Sequence, residues 1–96
     1  MAVIVTIEIP GGTREQYEKT TRSLGETDWF PPAGLLAHAA GPDGDGGWRI
    51  VDFWESEDEF LAFMEKGRPV FEREGVRTVL PTVQEATHVM VRPAPN

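Results

Sequence analysis

There is no cysteine among the 96 residues, which excludes disulfides, thiolate zinc ribbons and thiol nucleophiles. Basic residues are scarce: 9 Lys and Arg stand against 16 Asp and Glu, for a net charge of −7. So acidic a chain lacks the cationic face that binds a phosphate backbone, which argues against a nucleic-acid partner. Anionic membrane surfaces are disfavoured for the same reason, and no apolar run is long enough to cross a bilayer. The opening MAVIVTIEIPGG is apolar but has no basic start and is interrupted by Glu8, so it reads as a strand rather than an export signal. These absences leave a cytoplasmic protein as the expectation. Histidine occurs only twice, at His38 and His88, so chemistry that needs an imidazole has two places to sit.

What is present suits one compact domain spanning residues 1–96. Hydrophobic residues make up 40% of the chain and no segment is of low complexity, so a packed core is expected. At this length the buried fraction is modest, and dimerisation would add to it. Residues 2–9, AVIVTIEI, are β-branched and stop at Pro10-Gly11-Gly12, a turn. Thr13 with Gln16 fits a capping box that opens a helix closing at Gly25. Its stripe is Tyr17, Thr20, Thr21 and Leu24. ETDWFPPAG at 26–34 is a loop, LLAHAA at 35–40 a short strand, and GPDGDGG at 41–47 a hairpin connection leading into WRIVDFWE at 48–55. Ser56 with Glu59 caps a second helix, whose stripe is Phe60, Phe63, Met64, Gly67 and Phe71. Pro69 predicts a break at Arg68, with a short second piece to about Glu74. Residues 75–82 form a connection, and QEATHVMV at 84–91 the last strand. The order β-α-β-β-α-β predicts an α+β, ferredoxin-like domain with a four-stranded antiparallel sheet. Both helices would then cover one face of the sheet. The other face, left apolar, would close against a second copy of the chain.

The order of elements, the length, and above all GWRIVDFWESEDEFLAF at 47–63 resemble the dimeric α+β barrel proteins related to antibiotic biosynthesis monooxygenases. PPAGLLAHAAG and THVMV are similar to that group as well. The resemblance implies two ferredoxin-like protomers joined sheet to sheet, each with a pocket between its sheet and its helices or loops. It implies a small-molecule site, with cofactor-independent monooxygenase, haem-degrading, isomerase and cyclase branches. The haem-degrading branch carries a histidine on the second helix, where this chain has Phe63, Met64 and Glu65.

The third strand poses the sharpest question. Period-two alternation puts Asp52 on one face with Trp48, Ile50 and Trp54. A carboxylate among indoles is costly when dry and unpaired, and tolerable beside a wet pocket. Turning the more apolar faces toward the helices puts Val3, Val5 and Ile7 there together with Val51 and Phe53. The opposite face then gathers Glu8, Thr6, His38, Asp52 and Trp54, with His88 near Glu8. His38 would lie across a strand pair from Asp52, which fixes its tautomer and makes it a candidate general base. Its target is an acidic proton on a phenol or enol. Trp48 and Trp54 are candidate surfaces for an aromatic ligand, although core packing explains them too. Trp29 and Phe30, in the proline-rich loop, suit a lid or an anchor. Tyr17 is a candidate proton donor on the first helix. No metal or cofactor is expected: His38, His88, Asp52 and Glu8 are scattered and share no ligand spacing, and DGDGG lacks the pattern of a calcium loop.

Two functions follow. One is a small cytosolic homodimer binding a hydrophobic, aromatic or polyketide-like molecule, and acting on it as a cofactor-independent monooxygenase, isomerase or cyclase with His38 as base. The other is a non-catalytic dimer that binds such a ligand or a partner protein.

Overall fold

The computed structural model describes residues 1–77 and 80–92. Its elements are β1 (Val3–Ile9), α1 (Arg14–Gly25), β2 (Leu35–Pro42), β3 (Trp48–Trp54), α2 (Glu57–Arg73) and β4 (Thr82–Glu85). The strands form one antiparallel sheet in the order β2-β3-β1-β4. This is the α+β, ferredoxin-like arrangement that the element order predicts.

Alternation along β1 sets the two layers. Val3, Val5, Ile7 and Ile9 are buried, and Ile4, Thr6 and Glu8 half-exposed. In β3 the register decides which face joins them. Val3 lies opposite Trp54, Val5 opposite Asp52, Ile7 opposite Ile50 and Ile9 opposite Trp48. Directly opposed residues share a face, so the tryptophans and Asp52 lie beneath the helices. Val51 and Phe53 are on the other side, with Thr6 and Ile4. This corrects the expected pairing of faces. Burying two indoles removes more apolar surface than burying Val51 and Phe53, and partners for Asp52 offset its desolvation.

A second correction lies in β2. The register passes from Leu35 opposite Trp54 to Ala37 opposite Phe53, so Leu36 is the extra residue of a bulge. The bulge moves Leu35, in place of Leu36, onto the face of His38. The strand also runs two residues past its expected end, to Pro42.

Both helices begin as read. Thr13 Oγ1 accepts from the Gln16 amide at 3.1 Å, and Ser56 Oγ accepts from the Glu59 amide at 3.2 Å. The Gln16 side chain does not turn back to its cap. Its Nε2 donates to the carbonyls of Glu74 and Gly75 at 3.4 and 3.0 Å, tying the start of α1 to the end of α2. Pro69 does not break α2, which is continuous to Arg73. One lost amide donor is outweighed by anchorage on both sides of it, at the buried Phe60, Gly67 and Val70.

The last strand is shorter and earlier than expected. β4 pairs Thr82 with Thr6 and Glu85 with Val3, the first residue of β1; a single bond from the Ala86 amide to the Ala2 carbonyl closes the ladder. His88 and Met90 lie beyond it and are exposed, so neither is a mid-strand residue. Part of the expected connection, 78–79, is outside the described residues.

Candidate functional site

Sheet, helices and the 26–34 loop do not pack solidly together. They enclose a cavity of about 320 Å³. Its floor is the helix-facing side of β1 and β3, including Ile7, Ile50 and Trp54. The α1 stripe of Tyr17, Thr20, Thr21 and Leu24 forms one wall, and Phe63, Met64 and Phe71 of α2 form another. The threonines in the α1 stripe, weak as core formers, thus face a void. Phe30, Pro31 and Pro32 close a third side.

A chain of hydrogen bonds runs along this cavity. Asp52 is 4% exposed, and each carboxylate oxygen has a partner. Oδ1 is 2.6 Å from His38 Nδ1, and Oδ2 accepts from Trp54 Nε1 at 3.2 Å. On its other side the imidazole meets Tyr17, whose hydroxyl is 2.5 Å from His38 Nε2. The phenol and imidazole rings are nearly parallel, 5° apart. With Nδ1–H donated to Asp52, the Nε2 lone pair accepts the Tyr17 hydroxyl proton. The side chain of His38 is 35% exposed and that of Asp52 5%, so the chain leads from an accessible edge into dry interior. The desolvated carboxylate is compensated by two donors, as a buried charge must be.

Solved structures extend the picture. A structural-genomics protein, YJCS, superposes with a TM-score of 0.66 at 14% identity, covering 91% of this chain and 100% of its own. SnoaB, a cofactor-independent oxygenase from Streptomyces nogalater, does so at 0.57 and 11%, with 95% and 97% covered. A monooxygenase from the gene ActVA-Orf6 of Streptomyces coelicolor, in complex with nanaomycin D, gives 0.57 and 13%, with 97% and 93% covered. The chain has the antibiotic biosynthesis monooxygenase-like fold. At these identities the likeness is one of fold. No protein-family profile matches the sequence, and no curated protein matches it.

Within this fold the residues singled out from sequence divide. His38 and Asp52 lie opposite each other across β2 and β3 and line the cavity with Tyr17, Trp48, Trp54 and Phe30. Trp29 lies behind that lining. Its ring packs edge-on against Phe63 at 5.9 Å and Phe30 at 6.3 Å, with Lys66 Nζ 6.0 Å from the ring centre. That is the geometry of an anchor for the loop. His88 is exposed and is not among the residues that line the cavity, and Glu8 pairs instead with Arg49 on the opposite face at 2.8 Å. Among the described residues no three His, Asp or Glu side chains form a group able to hold a metal, and no helix is long and apolar enough to cross a membrane. Trp48 is buried against the Tyr17 ring at 5.4 Å, and its Nε1 has no hydrogen-bond partner among the described residues.

Sequence reasoning missed the bond between Tyr17 and His38, 21 positions apart. Phe63 and Met64 pack against the core as their spacing predicts, and with Phe71 they also wall the cavity, which the sequence does not reveal. Helical spacing identifies the buried side of a helix and does not say whether a void lies beneath it.

Proposed function

We propose that this chain binds a hydrophobic, aromatic or polyketide-like small molecule and removes a proton from it, with His38 as the base. The supporting observation is the Asp52–His38–Tyr17 chain set in the wall of an apolar cavity. A ligand hydroxyl or activated C–H beside Tyr17 loses its proton to the phenol oxygen as Tyr17 passes its own proton to His38 Nε2. Asp52 holds the imidazole in the accepting tautomer and stabilises the imidazolium that forms. The electron pair stays on the ligand as a phenolate or enolate. Reprotonation at another carbon isomerises it, attack on an internal carbonyl closes a ring, and electron transfer to O2 begins oxygenation. A cofactor-independent monooxygenase, isomerase or cyclase would each use this first step. The assembly we propose is a cytoplasmic homodimer.

The test is deuterium incorporation beside the hydroxyl of simple fused-ring phenols, with O2 uptake measured in parallel. His38→Ala is expected to lower exchange by about 100-fold or more, the usual contribution of a general base. Its melting temperature should change little, because water entering at the partly exposed His38 position takes the place of the imidazole on Asp52. Equal exchange in the variant removes His38 from the mechanism. The second reading, a ligand-binding protein without chemistry, draws on the Tyr17 hydroxyl already occupying Nε2. It predicts a ligand-induced rise in melting temperature with no exchange in the wild type.

A further inference from the structure

Trp54 reads from sequence as a surface for an aromatic ligand, yet its one polar atom is engaged elsewhere. Its Nε1 donates to Asp52 Oδ2 at 3.2 Å. A period of two brings residues 52 and 54 to the same face of β3, so the bond lies within one strand. The indole has little freedom to leave it. Trp54 is fully buried, with Val3 and Leu35 opposite it on the neighbouring strands and the rings of Phe60 and Phe63 at 5.7 and 5.4 Å. Burial alone does not produce such a bond. The buried Nε1 of Trp48, on the same face, has no hydrogen-bond partner among the described residues.

Few other groups reach the carboxylate. Asp52 is 4% exposed, and Val5 faces it from β1. No Lys or Arg is among the described residues that line the cavity beside it. The orientation of the carboxylate is therefore set by two donors, Trp54 at Oδ2 and His38 Nδ1 at Oδ1. The indole nitrogen only donates, whereas either imidazole nitrogen can carry the histidine proton. Trp54 thus pins Oδ2 and leaves Oδ1 to His38. The proton is drawn to Nδ1, and Nε2 stays open toward Tyr17.

Building on the proton-abstraction reading, we propose that Trp54 is a positioning residue: its N–H, acting through Asp52, holds His38 in the state that accepts from Tyr17. Two substitutions, taken singly and together, test this. Trp54→Phe keeps an aromatic ring beside Phe60 and Phe63 and removes the donor. The freed carboxylate still accepts at either oxygen, so the His38 proton should stay on Nδ1. Exchange on fused-ring phenols should fall about tenfold, the scale of one lost charge-assisted hydrogen bond. Asp52→Asn has the opposite signature: the indole claims the amide oxygen, the amide nitrogen turns to His38, and the proton moves to Nε2. In the double variant no donor selects the orientation of the amide. Part of the His38 population should then regain its Nδ1 proton, and exchange should rise at least about tenfold above that of Asp52→Asn.

Ring-nitrogen NMR reads the tautomer without any ligand, and with two histidines in the chain the His38 signals are those lost in His38→Ala. The proposal is overturned by an Nδ1 proton in Asp52→Asn itself, or by a double variant that keeps the proton on Nε2. Where the wild type exchanges, it is also overturned by wild-type exchange in a folded Trp54→Phe protein, or by a double variant no faster than Asp52→Asn. If Trp54→Phe does not fold, the double variant, which has no buried charge at these positions, decides alone. The expected tautomers with no exchange in any of the proteins keep the positioning role and remove the base. Wild-type exchange with a double variant locked on Nε2 does the reverse.

Discussion

Asp52 has two acceptor oxygens and meets two donors, an indole N–H and an imidazole N–H. That match makes a buried carboxylate tolerable, and it also assigns the histidine proton. An asparagine at this position has one acceptor and one donor group. If its oxygen keeps the Trp54 bond, its amide faces Nδ1 and forces the proton onto Nε2. His38 would then donate toward Tyr17 instead of accepting from it. Asp52→Asn is therefore expected to abolish proton exchange on fused-ring phenols while costing only about 1 kcal/mol of stability, the size of one altered neutral hydrogen bond. Chemical denaturation and the exchange assay run on one sample check both halves. Wild-type exchange in a folded Asp52→Asn protein would show that the tautomer does not matter.

Strand parity made it legible that His38 and Asp52 share a face, whereas their direct opposition depends on β2 running on to Pro42, which the 41–47 connection read from sequence does not give. The same parity misplaced Leu36, since a bulge adds a residue without any mark in LLAHAA. Composition also mispredicted the face of β3. It weighed Asp52 as a charge and not as a group that Trp54, two positions along the same strand, could satisfy. Pro69 was overvalued for a related reason: local propensity says nothing of the packing that holds a helix on both sides of a defect. The β2–β3 connection, by contrast, behaves locally. Asp43 Oδ1 accepts from the amides of Asp45 and Gly47 at 2.7 and 3.0 Å. These backbone bonds hold its carboxyl below its ordinary value of 3.8. A carboxyl whose folded value is depressed stabilises the fold above the unfolded value and loses that contribution as pH falls through the folded one. Asp43→Ala should therefore lower the melting temperature at pH 7, with the difference from wild type closing as pH drops below 3.8. A difference independent of pH would mean that the turn depends on something other than the carboxylate.

With both helices on one side, the sheet leaves its other side bare. Ile4, Val51 and Phe53 are half-buried there within a single chain, beside the Glu8–Arg49 pair that lies across β1 and β3. A second copy covering this side is the assembly proposed above, and the proposed base would lie outside that contact, because His38 and Asp52 are on the helix side. Light scattering should therefore give about twice the 10.7 kDa of the chain. Phe53→Glu should bring the particle to a single chain while leaving proton exchange on fused-ring phenols within about twofold, since it alters the interface and not the cavity. A wild-type particle of 10.7 kDa would remove the dimer and leave the cavity argument standing.

The imidazole sits on β2, an outermost strand of the sheet. One margin of that strand is bonded to β3, and the other has no neighbour among the described strands. Through its side chain His38 stitches this margin to α1 by way of Tyr17, and to β3 by way of Asp52. The relay proposed above runs through the first of these stitches, so its chemistry would sit at the rim of the sheet and needs the link from that rim to the helix intact while a guest is bound.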